Sequence, residues 1–278
     1  MKHILITLIT FCLFGCSGDK KNSLNDLNLK GDVRILSEFG YKAVIKFGEI
    51  EKDSLQYRLL SDFDENGNIV SENWIDSGIR DIYKYDSIGK LIEQDNHNEL
   101  KTPSLSSKKK FIYDKNNNLI EKNTYLPDGF LFEKIIYDYD KNDNNIESKC
   151  YKYDFEGKEV IQFMFKHKYD KKGNKIESIH YDNLGNKEYT ETYKYDEKGL
   201  IIEEVSDFLK DKLPPKKLYT YDNKKNILNI KHYNSKEVLV DEETYKYKFD
   251  KKGNWIIKIH FINARPDFIE ERKISYGN

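Results

Sequence analysis

Apolar and polar positions alternate with a period of two over most of this chain. In residues 189–195 the odd positions are Tyr, Glu, Tyr and Tyr, whereas the even positions are Thr, Thr and Lys. Residues 255–261 alternate in a similar way, which places Trp255 on the face opposite to His260. This period is typical of β-strands, in which successive side chains point to opposite faces. The pattern predicts a sheet with one aromatic face and one charged face that is wetted by water.

Turn-forming residues divide these strands at regular intervals. An aromatic residue followed by Asp occurs eight times, at Phe63-Asp64, Tyr85-Asp86, Tyr113-Asp114, Tyr139-Asp140, Tyr169-Asp170, Tyr195-Asp196, Tyr221-Asp222 and Phe249-Asp250. Asp accepts backbone hydrogen bonds across a turn, and Gly or Asn tolerates a left-handed backbone. We expect each pair at a corner of the sheet, with Gly67 left-handed in the first turn. Asn117 and Asn144 are the expected substitutes in two turns that lack Gly.

A second turn signal lies midway between the pairs, as at residues 127–129, 155–157 and 183–185. Each period therefore contains two strands, and eight periods give about sixteen strands, whereas open sheets rarely exceed about ten without curling. The sequence predicts an all-β fold, a long antiparallel meander of hairpins in one curled sheet with its aromatic face inward. A closed barrel is the alternative. The β-repeat domain is expected over 33–278, with an N-terminal cap over 33–60 and eight repeats over 61–278.

The first residues have the character of an export signal. The apolar run over residues 4–13 is too short to span a bilayer as a helix. Leu13-Phe14-Gly15-Cys16 resembles the lipobox of bacterial lipoproteins, which implies a signal peptide over 1–15 and a lipid on Cys16. Ser17 at the next position implies an outer-membrane location, and residues 16–32 are expected to form a flexible tether. An ordinary signal peptide is the alternative.

Composition narrows the classes of protein. The 47 Lys and Arg nearly balance the 48 Asp and Glu, which argues against a nucleic-acid binder held by phosphate contacts. The chain has 21 Tyr and 15 Phe, as expected for strands. With Cys12 removed and Cys16 lipidated, Cys150 has no disulfide partner, so we expect a buried thiol in a chain stabilised by packing.

The repeat unit resembles a known family. Tyr193-Lys194-Tyr195-Asp196, followed by Gly199, is similar to the YD repeats of the RHS family, and the likeness covers residues 60–278. MORN-type repeats show a weaker resemblance. In large RHS proteins the repeats form a spiralling β-shell around a toxin, so the resemblance implies a β-shell architecture here.

One turn also resembles a calcium-binding loop. Asp62, Asp64 and Asn66 match the start of such a loop, and calcium is the only cofactor that the sequence suggests. Asn73 stands where a bidentate Glu is expected. The competing interpretation is an ordinary turn of the first repeat with one extra Asp.

Three histidines and three glutamates recur in phase with the repeat. The histidines are expected on the charged face, too far apart to share a metal ion, and are His180, His232 and His260. The glutamates are expected on the aromatic face, bonded to Tyr hydroxyls or Lys, and are Glu133, Glu191 and Glu243.

These features favour a non-enzymatic scaffold or binding module, held on a membrane by its lipid, for a protein or glycan partner. The alternatives are an immunity or accessory protein of an RHS-type toxin system and a glycan-active enzyme, although no catalytic motif is present. Local function is expected where the repeat is interrupted, in the polar insertion 95–110 and the basic loop 209–217.

Overall fold

The computed structural model describes residues 22–100, 104–208 and 216–277. These residues form one short helix, α1 (Ser23–Asp26), and 18 strands. The strands are β1 (Val33–Lys46), β2 (Glu49–Phe63), β3 (Ile69–Trp74), β4 (Ile79–Tyr85), β5 (Leu91–Asn98), β6 (Ser104–Tyr113), β7 (Leu119–Tyr125), β8 (Leu131–Tyr139), β9 (Asn145–Tyr153), β10 (Glu159–Tyr169), β11 (Lys175–Tyr181), β12 (Lys187–Tyr195), β13 (Ile201–Phe208), β14 (Lys216–Tyr221), β15 (Ile227–Tyr233), β16 (Leu239–Phe249), β17 (Trp255–Ile262) and β18 (Arg265–Tyr276).

All strands belong to one antiparallel meander that closes on itself. Each strand pairs with the next along the chain, as β2 pairs with β3 and β17 with β18. The last strand then pairs with the first, with Ser37 opposite Lys273 and Gly40 opposite Glu270. The predicted all-β meander is confirmed, and the closed barrel given as the alternative is the form observed. Closure leaves no free sheet edge.

The aromatic-Asp pairs lie at corners of the sheet, as predicted. The even-numbered strands from β2 to β16 each end at the aromatic residue of a pair, and the Asp begins the turn. All eight of these connections, called YD turns here, lie at the same end of the barrel. The connections β1–β2, β3–β4 and their counterparts up to β17–β18 lie at the opposite end, called the hairpin end.

Each YD turn is held by its Asp. Asp170 Oδ1 accepts hydrogen bonds from the amides of Lys172 (2.8 Å) and Asn174 (2.9 Å), and Oδ2 accepts one from Asn174 Nδ2 (2.9 Å). The third residue after the Asp is left-handed, and it is Gly173 in this turn, with a φ of 82°. Asn117 takes this position as expected (φ 73°). In the turn after Tyr139 it is Asp143 (φ 60°), so the prediction for Asn144 is wrong.

In each repeat after the first, a tyrosine hydroxyl links the repeat to an earlier strand. Tyr195 Oη donates to the carbonyl oxygen of Lys175 at 2.7 Å, joining the end of β12 to the start of β11. The same bond is made at the starts of six other strands, by Tyr85, Tyr113, Tyr139, Tyr169, Tyr221 and Tyr247. Since Phe249 has no hydroxyl, Tyr247 makes the bond in the last of these repeats.

A β-bulge follows each YD turn and shifts the alternation of side chains. Phe249 pairs with Trp255 whereas Lys248 pairs with Ile257, so Ile256 is an extra residue. Beyond the bulge, His260 lies opposite Tyr245 and therefore on the same face as Trp255. One inserted residue exchanges the two faces of a strand. The prediction that Trp255 and His260 point to opposite faces is wrong for this reason.

The aromatic face lines the interior of the barrel. Charged side chains on this face are largely covered, with Arg272 8% exposed and Glu38 14% exposed. Lysines on the other face are mostly open to solvent, with Lys168 68% exposed and Lys194 70% exposed. These outer lysines pair with glutamates of the neighbouring strand, which is typical of a sheet face in contact with water.

The N-terminal segment, residues 22–32, packs across part of the YD-turn end. Leu24 and Leu29 are buried in the core cluster, together with Val33, Leu36, Phe63 and Ile69. The amide of Leu24 donates to the carbonyl oxygen of Gly67 (3.1 Å), and the amide of Lys30 donates to Asn254 Oδ1 (2.7 Å). The segment thus bridges turns that lie far apart in the chain. This differs from the flexible tether expected up to residue 32; residues 1–21, including Cys16, lie outside the described residues.

Candidate binding site

Polar and aromatic side chains form a continuous interior wall on the last strands. On β15–β17, Glu243 lies between two histidines, with Oε1 2.8 Å from His232 Nε2 and Oε2 2.9 Å from His260 Nε2. Tyr245 Oη also donates to Glu243 Oε2 at 2.5 Å. Burial alone raises the pKa of Glu243, but the hydrogen bonds from both histidines and Tyr245 outweigh it and hold that pKa well below its usual range. This carboxylate is therefore ionised and fully partnered.

The wall continues across the seam where β18 meets β1. The guanidinium of Arg272 lies 3.5 Å from the centroid of the Trp255 ring, and its Nε donates to Glu38 Oε1 at 2.9 Å. Tyr57 Oη donates to Glu270 Oε1 at 2.8 Å, and burial raises the pKa of Tyr57. An Arg held between an aromatic face and a carboxylate has its orientation fixed from two sides. The seam is thus a pre-ordered polar surface.

A third interior group contains the remaining stacked histidines. His180 stacks on Tyr189 with ring centroids 4.8 Å apart, and His167 stacks on Phe165 at 6.0 Å. Burial, with a smaller contribution from the charge of Lys175, lowers the pKa of His167 to about 4. The prediction that His180, His232 and His260 lie on the charged face is wrong: all three are interior. The bulges described above cause the difference.

The recurring glutamates act as hydrogen-bond acceptors. Tyr193 Oη donates to Glu191 Oε2 at 2.8 Å, in the same way as Tyr245 donates to Glu243. The predicted bonding to Tyr hydroxyls is confirmed at these two positions. Cys150 is buried as expected, and burial, together with the nearby Glu133, raises the pKa of its thiol to about 11. A thiol with this pKa is not a nucleophile at neutral pH.

The side chains predicted to bind calcium are hydrogen-bonded within the protein itself. Asp64 Oδ1 accepts from the amides of Asn66 and Asn68, both at 2.8 Å, as the Asp of every YD turn does. Asp62 accepts instead from Ser71 Oγ on β3 at 2.6 Å. Within residues 22–100, 104–208 and 216–277, no three His, Cys, Asp or Glu side chains are grouped as metal ligands. The arrangement fits the ordinary turn, and calcium binding stays a prediction.

The two predicted interruptions of the repeat lie only partly within the described residues. Most of the insertion 95–110 belongs to β5 and β6, where Lys108 pairs with Glu93 (3.1 Å) and Asp95 (3.3 Å) on the outer face. Residues 95–98 and 104–110 are therefore paired strands of the barrel, with a register shift between Asn96 and His97. Of the loop 209–217, only its last two residues, at the start of β14, are among the described residues.

Sequence reasoning missed a concentration of exposed apolar side chains at the hairpin end. Phe47 is fully exposed, Phe155 is 90% exposed and Leu184 is 79% exposed, each at the tip of a connection. Three further connections present Ile75, Leu100 and Val238 in the same way. Among the eight YD turns, only one presents an exposed large apolar side chain at its tip, Ile88, which is 57% exposed. The sequence does indicate these exposed tips, because each has an apolar residue inside a turn motif, as in residues 154–157 and 182–185.

No protein-family model matches the chain, and no curated protein matches its sequence. Among solved structures, the chain is similar to a porin-like protein from Bacteroides uniformis, with 9% identity and a TM-score of 0.45 over 87% of this chain and 96% of that one. The TcdB2-TccC3 structure matches with 14% identity and a TM-score of 0.31, over 86% of this chain and 16% of that chain.

A putative outer membrane lipoprotein-sorting protein domain from Vibrio parahaemolyticus matches with 12% identity and a TM-score of 0.28, over 88% of this chain and 87% of that one. At these scores and identities the similarities identify neither a family nor a function, and the RHS resemblance stays a prediction. Among the described residues, no helix has the length and hydropathy needed to cross a bilayer.

Proposed function

We propose that this protein is a non-enzymatic binding module of the cell envelope, held on the outer membrane by a lipid on Cys16, which docks a protein partner at its hairpin end. The observation that carries the proposal is the set of exposed apolar tips at that end. Water solvates such side chains poorly, so their concentration on one end of a protein marks an interaction surface.

The chemistry of the partner follows from the residues between the tips. Exposed charged side chains of both signs accompany the apolar ones, including Asp128, Glu156, Lys158 and Lys236. A complementary partner surface therefore combines an apolar centre with a rim of charged side chains of both signs. The N-terminal segment lies at the YD-turn end, so a lipid on Cys16 leaves the hairpin end directed away from the membrane.

A glycan ligand in the interior is the second candidate, favoured by the aromatic and charged wall that contains Trp255, Tyr245 and Arg272. Aromatic faces stack on sugar rings, and carboxylates bind their hydroxyls. Because Arg272 covers the ring of Trp255 and Glu243 is fully partnered, a ligand must displace existing contacts there. The same docking surface would serve an immunity or accessory protein, in which case the partner is an RHS-type toxin.

The test compares two variants of the whole chain expressed in its own envelope. Phe47→Ser, Phe155→Ser and Leu184→Ser are combined in one variant, and Ile88→Ser at the YD-turn end is the matched control. Crosslinked complexes are then isolated and identified by mass spectrometry. We expect a partner that crosslinks to the parent chain and the control but not to the triple variant. Crosslinks that are identical in all three chains contradict docking at the hairpin end.

A further inference from the structure

Three lysine side chains lie where the N-terminal segment meets two YD turns, two of them beside Gly253 and the third beside Gly31. The position at which a side chain would begin on Gly253 lies 3.6 Å from Lys30 Nζ and 3.8 Å from Lys224 Nζ. The corresponding position on Gly31 lies 3.3 Å from Lys252 Nζ. The three ammonium groups come from three separate parts of the chain. We call them the lysine cluster.

Aromatic rings and backbone bonds fix the lysine cluster in place. Lys224 Nζ lies 3.6 Å from the centroid of the Phe249 ring, and Lys252 Nζ lies 3.8 Å from that of Tyr276. The carbonyl oxygen of Lys224 accepts a hydrogen bond from Asn28 Nδ2 at 2.8 Å, which holds this turn against the N-terminal segment. Cation–π contacts of this kind orient a lysine without neutralising its charge.

Within residues 22–100, 104–208 and 216–277, no acidic side chain is paired with the lysine cluster. None of its members takes part in an ion pair within the described residues. The carboxylates of the two YD turns are already bonded: Asp222 Oδ1 accepts from the amides of Lys224 and Asn226, both at 2.8 Å. Asp250 Oδ1 accepts from the amides of Lys252 and Asn254, both at 2.9 Å. Its Oδ2 accepts from the hydroxyl of Tyr276. Like charges repel at short range, so an arrangement of this kind favours an anion between them.

We propose that Lys30, Lys224 and Lys252 form a binding site for a phosphate-class oxyanion. Lysine binds phosphate as a point charge, and three ammonium groups from different directions suit a tetrahedral anion with several charged oxygens. The site is independent of the hairpin end. Its location suggests a source, since Cys16 is six residues before Asn22 and a lipid on it therefore lies within about 20 Å of Asn22. The phosphate is either that of a lipid headgroup or that of a soluble compound.

The test measures the reactivity of individual lysines in the whole chain, reconstituted in lipid nanodiscs. Acylation rates of lysine amines are determined by mass spectrometry in phosphatidylcholine discs, with and without pyrophosphate, and in discs that also contain phosphatidylglycerol. Lys172 is the internal control, because it occupies the same turn position as Lys224 and Lys252 but lies outside the turns to which the described N-terminal segment is hydrogen-bonded, those of Gly67, Lys224 and Asn254. We expect selective protection of the lysine cluster. Protection by pyrophosphate in neutral discs identifies a soluble phosphate, and protection only by phosphatidylglycerol identifies a headgroup.

Variants provide the second measurement. Lys224→Gln should weaken pyrophosphate or phosphatidylglycerol binding about tenfold, since one charge-assisted hydrogen bond contributes roughly a decade of affinity. Lys252→Gln should act in the same way, whereas Lys172→Gln should leave affinity unchanged, with circular dichroism confirming the fold of each. Equal protection of Lys172 and the lysine cluster, or no protection in any arm, overturns the proposal. Either result leaves docking at the hairpin end intact, because that surface contains none of these lysines.

Discussion

The Asp of the YD turn determines local structure more than any other residue in this protein. It accepts the amides of the second and fourth residues after it, from Asp64 at the first turn to Asp250 at the last. This bonding was predictable because all its partners lie within five residues. Asn144 was predicted wrongly because residue type was weighed above position. The hydrogen bonds fix the third residue after the Asp as left-handed, and that residue is Asp143.

His167 provides a test at the level of a single titrating group. Its pKa is lowered from 6.5 to about 4 by burial, so between these values the unfolded chain binds the proton more readily than the folded one. Stability contributed by neutral His167 is therefore complete above pH 6.5 and is lost as the pH falls toward 4. We expect His167 to account for about 1–2 kcal/mol of the stability lost between pH 7 and pH 5.

Urea unfolding at pH 7 and pH 5 measures this contribution. His167→Gln, which cannot be protonated, should show a smaller loss of unfolding free energy than the parent chain, by the amount given above. His97→Gln on β5 is the control for the effect of replacing a histidine by glutamine. An equal loss in the parent and in His167→Gln would show that His167 is not buried in the folded state as described.

At the scale of strands and segments, the alternation predicted from sequence is correct between bulges and fails across them. Residues 189–195 of β12 follow it, whereas β17 is shifted by the extra residue Ile256. A bulge is defined by the register between two strands, and a sequence read one strand at a time does not contain that register. The interior histidines were misplaced for this reason, although their recurrence in phase was visible.

The packing of the N-terminal segment is even harder to predict from local sequence. Its composition is polar, and its two buried leucines belong to a cluster that includes Ile69 and against which Ile274 packs, both far away in the chain. Nothing local in residues 22–32 indicates that they pack on a barrel end. A segment of this composition is normally read as a linker.

Leu24→Ala should release this segment. A buried leucine contributes about 2–4 kcal/mol to packing, and α1 is too short to be stable without its contacts. We expect hydrogen exchange of residues 22–32 to accelerate by at least about tenfold, since each 1.4 kcal/mol corresponds to a factor of ten. Leu184→Ala, at an exposed tip, is the control and should leave exchange unchanged. Exchange in Leu24→Ala that equals the parent rate contradicts the described packing.

The whole molecule is a closed barrel with two unlike ends. One end carries the YD turns, the N-terminal segment and the lysine cluster, and the other carries the apolar tips. The repeat predicted an antiparallel meander with two strands for each aromatic-Asp pair. It did not decide between an open and a closed sheet, because closure depends on twist accumulated over all strands and on the match between β1 and β18.

An engineered disulfide across the seam is the most direct test of closure. Ser37 on β1 lies opposite Lys273 on β18, and facing residues of an antiparallel pair are close enough for a disulfide. We expect Ser37→Cys with Lys273→Cys to oxidise readily, while Ser37→Cys with Lys248→Cys, two strands further around the barrel, does not. If the first pair fails to form a disulfide in the folded protein, or forms it no faster than the second, the sheet is open and the account of a closed barrel is wrong.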